Sequence, residues 1–257
     1  MKEAGTLWER PRGRYELPPD EVHVWRATLD QPQGCYAALM RTLSPDERAR
    51  ADRFHFEADR KRHILARGIT RSLIGRILDR PADALQFEYN AFGKPALARS
   101  QQCTIEFNVS HSGDLVLVAL GHSRVLGVDV EQMKPDMATA EIASRFFSPN
   151  ECRALSALAA DLQCSAFFCC WTRKEAYLKA RGDGLSLPLD RFDVAFVPGA
   201  EPRLLETRHD PAEISRWTLR ALDVGPGHKA ALVVEGSDWT LRCLEWSSTS
   251  QPEASPR

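Results

Sequence analysis

Residues 171–185 read WTRKEAYLKARGDGL. Glu, Ala, Leu, Lys and Arg propagate helices well, so residues 171–179 predict a helix. On that helix Phe168, Trp171, Glu175 and Leu178 recur at spacings of three and four and share one face. A carboxylate therefore interrupts an apolar stripe that the fold has to bury. Lys179 follows one turn after Glu175, within its reach, and Gly182 and Gly184 stop the helix and turn the chain. Two readings fit this stretch. Glu175 and Lys179 can be an ordinary i,i+4 surface pair. Alternatively a carboxylate and two lysines, Lys174 and Lys179, at the edge of a buried stripe are suited to chemistry on a phosphate.

The bulk properties restrict the rest. A chain of 257 residues permits one large domain or two small ones. With 43% hydrophobic and 27% charged residues it reads as globular, and a net charge of −1 gives no global field for nucleic acid or membrane. No apolar run approaches the roughly 20 residues of a membrane span, and the first twenty residues lack the apolar core of a signal peptide. Seven cysteines, an odd number without a CxxC pair, predict reduced, cytoplasmic usage and no zinc site.

Along the chain, residues 1–20 predict a loose arm and 22–28 a strand. Ser44-Pro45-Asp46-Glu47 is a helix start, with Ser44 as N-cap and Glu47 closing a capping box. Residues 41–80 hold eleven Lys/Arg against six Asp/Glu, a local net of +5. Ile64, Leu65, Ile69, Leu73 and Ile77 form the apolar side of a helix starting near Asp59. The basic residues around it are either a solvated face or a receptor for phosphate or an acidic partner. Strands are predicted near 87–89, 104–110, 115–120 and 125–130, and helices at 138–147, from 149 through 160, and over 164–181. Four further strands follow at 192–197, 217–223, 229–234 and 239–246. The last eleven residues predict disorder.

Asp129 and Glu131 lie two apart on a strand, so both point to one face. Two carboxylates there repel unless a cation intervenes, and hard oxygen ligands favour Mg²⁺. Glu151 is either a third ligand or the last residue of a Ser148-Pro149-Asn150-Glu151 capping box. Ser110, His111 and Gly113 mark a strand end where backbone can approach an anion.

The order of the pieces is GKP, NVSHSG, GVDVE, FFSPNE and WTRKEAYLKARGDGLSLPL. Over residues 40–235 this resembles the Sfp-like (surfactin-synthetase-activating) 4′-phosphopantetheinyl transferases. The resemblance implies an α/β (α+β) pseudo-dimer: two similar subdomains, 18–126 and 127–246, with tails 1–17 and 247–257 and the active site between the halves. It implies transfer of 4′-phosphopantetheine from coenzyme A to a serine of an apo acyl or peptidyl carrier protein, with release of adenosine 3′,5′-bisphosphate. By position, Asp129, Glu131 and Glu151 match Mg²⁺ ligands, with Mn²⁺ as a substitute. Lys174, Glu175 and Lys179 match the catalytic helix. Ser110 and His111 match holders of the coenzyme phosphates, Lys94 and Pro95 a segment beside adenine, and Arg50 and Arg62 positions near the 3′-phosphate. One departure is Glu47, where the family often carries a base, which shifts the load to Arg62, His111 or another arginine.

The transfer chemistry is consistent with these groups. Lys179 can stabilise the leaving phosphate. Glu175, on an apolar stripe, is expected to have a raised pKa suited to a general base, with a metal-bound water as the competing base. Two other functions use the same features: a Mg²⁺-dependent phosphohydrolase, and a non-catalytic module binding an anionic partner through residues 41–80. The expected protein is a cytoplasmic monomer that binds coenzyme A and a carrier protein, and neither nucleic acid nor membrane.

Overall fold

The computed structural model describes residues 6–11, 16–137, 139–182 and 184–248; most of the predicted disordered end lies outside them. The chain opens with β1 (Trp8–Glu9) and β2 (Glu21–Thr28), then α1 (Gln33–Thr42), α2 (Pro45–Ala51) and the long α3 (Glu57–Leu78). A small hairpin of β3 (Phe87–Tyr89) and β4 (Pro95–Leu97) precedes β5 (Ile105–Ser112), β6 (Leu115–His122) and β7 (Leu126–Gln132). Helices α4 (Thr139–Phe146), α5 (Pro149–Ser156) and α6 (Ala160–Arg181) follow. The chain then forms β8 (Phe192–Val194), β9 (Leu204–Thr207), α7 (Glu213–Arg216), β10 (Trp217–Leu222), β11 (His228–Glu235) and β12 (Thr240–Glu245).

Strand alternation builds the layers. On β6, Val116, Val118 and Leu120 pack with α3 residues Leu65, Ile69 and Leu73. Leu115, Leu117 and Ala119 point the opposite way, onto Leu126, Val128 and Val130 of β7 and Leu232 and Val234 of β11. The other face of β11, through Ala231 and Val233, packs with α6 residues Ala176 and Ala180. The result is helix, sheet, sheet, helix. The first sheet has the order β1-β12-β2-β6-β5 and the second β10-β11-β7. Each fully buried Val or Leu contributes roughly 1.5–3 kcal/mol, so the inter-sheet core joins the two halves firmly.

Three features depart from the expected organisation. The N-terminal arm is anchored: β1 pairs parallel with β12, Trp8 Nε1 donates to the Asp223 carbonyl at 2.6 Å, and Arg26 stacks over the Trp8 ring. The last strand leaves its expected half, because β12 pairs parallel with β2 inside the N-terminal sheet. Helix α1, for which the sequence shows no side-chain N-cap, packs against α3 through Leu39.

Candidate active site

On β7, Leu126, Val128 and Val130 are spent on the inter-sheet core, so Gly127, Asp129 and Glu131 face α6. Gly127 is where the helix comes closest: a methyl there would overlap the Ala176 carbonyl oxygen and the Ala180 nitrogen. This contact sets α6 against β7 and carries Lys179 to Asp129. Lys179 Nζ donates to Asp129 Oδ1 at 2.6 Å and to Ser110 Oγ at 2.9 Å. Burial pushes the Asp129 carboxyl above its usual pKa, and the Lys179 ammonium works against that shift. The second oxygen of Asp129, Oδ2, is buried and has no hydrogen-bond partner.

Glu131 accepts a hydrogen bond from Ser112 Oγ at 2.7 Å; burial, and further the charge of Asp129, raise its pKa. Glu175 is raised for the same reasons: burial first, then the fields of Asp129 and Glu131, with Lys179 opposing. Asp129, Glu131 and Glu175 therefore share one electrostatic neighbourhood, and Lys179 supplies its positive charge. Among the described residues no three such side chains already converge on one point. The donor set nevertheless fits a hard cation: three carboxylates, one with an orphaned buried oxygen.

Glu151 and Lys174, expected as metal ligand and catalytic lysine, are placed elsewhere. Glu151 closes the capping box of α5: its Oε2 accepts from the Ser148 backbone N–H at 3.0 Å, and Ser148 Oγ accepts from the Glu151 N–H at 3.2 Å. Its Oε1 accepts from Val194 N at 2.9 Å, and Lys174 Nζ lies 2.7 Å from Oε2. Lys174 is fully buried and also donates to the Leu189 and Phe192 carbonyls at 2.8 and 2.5 Å. An ammonium has three donors, and all are used. The pair fastens α5, α6 and β8 together, and its partners are all groups of the protein's own fold.

The predicted coenzyme residues also divide. Lys94 is partly buried and donates to the carbonyls of Leu126 and Ala180, each at 3.2 Å. It ties the β3–β4 loop to β7 and to the end of α6. Asn90 in the same loop donates to the Gly182 carbonyl at 2.9 Å. Pro95 opens β4 opposite Tyr89. Ser110 gives its one hydrogen to Asp129 Oδ1 at 2.9 Å and accepts from Lys179 and from Val130 N, so its hydroxyl is saturated.

His111 follows Ser110 on β5. Desolvation, then the charges of Lys179 and Arg62, hold its imidazole below its usual pKa. Desolvation does the same to His63, followed by the charges of Arg50, Arg67 and His111. Lys179 and Arg62 thus lie within electrostatic reach of His111, as Arg50 and Arg67 do of His63. Arg62 also pairs with Asp59 at 3.1 Å, and Arg50 lies over the Tyr89 ring. Glu47, the departure from the family pattern, is 2% exposed and bonded to Arg67 and Arg71. Burial alone would raise its pKa, but the two arginines hold it below the usual carboxylate range.

The residues that the sequence reading left unassigned are Asn108 and Ser112. Their signal was present as alternate polar residues, N-x-S-x-S, on one face of β5.

A family model described as 4′-phosphopantetheinyl transferase, N-terminal, matches residues 23–123, and that of the 4′-phosphopantetheinyl transferase superfamily matches residues 125–233. The 4′-phosphopantetheinyl transferase HetI of a Nostoc species (strain PCC 7120) is 41% identical over 224 residues, covering 87% of this chain and 91% of HetI. The chain belongs to the 4′-phosphopantetheinyl transferase family. The transferase is likewise 34% identical over 221 residues to the 4′-phosphopantetheinyl transferase Sfp of Bacillus subtilis (strain 168), covering 85% of this chain and 94% of Sfp. A putative 4′-phosphopantetheinyl transferase, slr0495 of Synechocystis (strain PCC 6803), is 34% identical over 200 residues, 77% of this chain and 78% of its own. Neither the phosphohydrolase nor the non-catalytic module is favoured by these relatives. No helix among the transferase's described residues is long and apolar enough to cross a membrane.

Proposed function

We propose that this transferase moves the 4′-phosphopantetheine group of coenzyme A to a serine of an apo acyl or peptidyl carrier protein. The bond from the serine oxygen to the β-phosphorus forms, the pyrophosphate P–O bond breaks, and adenosine 3′,5′-bisphosphate leaves. The observation that carries this reading is the meeting of Lys179 with Asp129 at 2.6 Å, in the shared field of Glu131 and Glu175.

Asp129, Glu131 and Glu175 are the residues that would hold Mg²⁺, replacing the expected set that included Glu151. Bound there, the ion would neutralise the pyrophosphate and polarise the phosphoryl oxygens. Lys179, an ammonium at the edge of the acids, stabilises charge on the leaving phosphate. Glu175 has two oxygens, so one could face the ion while the other takes the serine proton. His111, Arg62 and Arg50 form the receptor for the coenzyme's remaining phosphates. Two halves in one chain supply both walls of the site, and none of the seven cysteines is in a disulfide, which supports a monomer working in a reducing cytoplasm.

The test is a mixture of apo carrier protein, coenzyme A and Mg²⁺. Each carrier should gain the mass of one phosphopantetheine arm, with one adenosine 3′,5′-bisphosphate released, and EDTA should stop the reaction. Release of inorganic phosphate without carrier would assign the site to a phosphohydrolase instead.

A further inference from the structure

Strand β7 has one edge paired to β11, and its other edge is not closed by a backbone ladder. On that edge the N–H groups of Val128, Val130 and Gln132 donate to side chains of β5. Val128 N donates to Asn108 Oδ1 at 2.9 Å, Val130 N to Ser110 Oγ at 3.3 Å and Gln132 N to Ser112 Oγ at 3.1 Å. The period of two on each strand brings Asn108, Ser110 and Ser112 into register with alternate residues of β7. The two serine rungs do more than the asparagine rung. A hydroxyl that accepts an N–H on one lone pair has its single hydrogen left to direct elsewhere. Ser110 directs it to Asp129 Oδ1, and Ser112 directs it to Glu131 Oε2 at 2.7 Å.

We infer that Ser112 is a positioning residue for Glu131: its hydroxyl, locked by the Gln132 N–H, fixes one carboxylate oxygen so that the other is presented to the cation. Asn108 builds the same kind of seam without touching a carboxylate, so the ladder contains its own control. The inference rests on the proposed role of Glu131 in holding Mg²⁺. Gly113 supports the placement, because any side chain at this left-handed position (φ 59°) would press on the Gln132 side chain whose backbone N–H locks Ser112.

The experiment compares Mn²⁺ binding, followed by the loss of its free electron paramagnetic resonance signal, in wild type, Ser112→Ala, Ser112→Thr and Asn108→Ala with coenzyme A present. Losing a partner that orients a ligand typically costs about 10- to 100-fold in metal affinity. Ser112→Ala should show a loss of that size, Ser112→Thr should restore affinity, and the KM for coenzyme A at saturating Mg²⁺ should stay unchanged in both. Asn108→Ala should lower the melting temperature while leaving Mn²⁺ affinity alone. Wild-type affinity in Ser112→Ala would overturn the inference, as would an equal loss in Asn108→Ala, which would make the effect one of general packing. If Ser112→Ala fails to fold, the thermostability-matched comparison of Ser112→Thr with Ser112→Val decides, the valine variant being expected to lose affinity. No Mn²⁺ binding by the wild-type protein would overturn the three-carboxylate reading and this inference with it.

Discussion

Glu151 and Glu175 have the same side chain and different tasks because their neighbours differ. Glu151 has a lysine ammonium and two backbone N–H groups on its two oxygens, so it is a compensated buried charge. Glu175 has two carboxylates in its field and only Lys179 to offset them. Breaking one partner of a buried pair costs about 3–5 kcal/mol. Glu151→Ala should therefore lower unfolding free energy by about that amount in chemical denaturation. Glu175→Ala should leave stability nearly intact and abolish transfer. The capping-box role of Glu151 was legible in Ser148-Pro149-Asn150-Glu151. Its partner was not, because adjacent positions on a helix point about 100° apart, and sequence alone does not say that Lys174 faces inward while Glu175 faces β7. Glu213 is buried beneath α6. Burial works to raise its pKa, but hydrogen bonds from Tyr177, Trp217 and Arg216 hold it down at about 2, against an ordinary 4.5. A depressed acid stabilises the fold above its unfolded pKa, and that stability is lost as pH falls from about 4.5 toward 2. The gap in melting temperature between wild type and Glu213→Gln should be full at pH 7 and close across that window.

Among the elements, α6 and β7 meet through backbone at Gly127, and that contact decides where Lys179 reaches. Gly127→Ala would place a methyl on the helix backbone, which cannot move aside as a flexible side chain does. Overpacking of this kind costs about 1–3 kcal/mol or more. The variant should be destabilised to at least that degree in denaturant titration, and any folded fraction should transfer poorly because Lys179 and Asp129 are pushed apart. Most elements were readable. The strands around 22–28, 104–110, 115–120 and 125–130 followed from alternation, and α2 and α5 followed from their Ser-Pro-x-Glu starts. Helix α1 was missed because it begins after Pro32 with no side-chain cap. Strand β1 was missed because two residues carry no periodic signal; it exists only through pairing with residues more than two hundred positions away. The loop of Lys94 resembled a coenzyme contact in sequence, and only the fold reveals its ammonium closing the carbonyl end of α6.

In the whole molecule, the two halves interlock. Strand β12, from the end of the chain, lies between β1 and β2 in the N-terminal sheet, and the inter-sheet core draws residues from both halves. Truncation before residue 240 should expose the edge of β2 and abolish cooperative folding of both halves, seen as loss of a single sharp thermal transition, rather than leave an intact N-terminal domain. The interlocking also positions the proposed active site, because Ser110 and Ser112 come from one sheet, Asp129 and Glu131 from the other, and Lys179 from the helix behind it. This junction, and not Glu151, is the proposed seat of the metal and the phosphoryl transfer. The measurement that reaches it most directly is an anomalous difference map from crystals grown with coenzyme A and Mn²⁺. The account predicts one strong peak at about 2 Å from carboxylate oxygens of Asp129, Glu131 and Glu175, with the coenzyme pyrophosphate beside Lys179. A peak on Glu151, or coenzyme bound with no metal at the Asp129 junction, would contradict it.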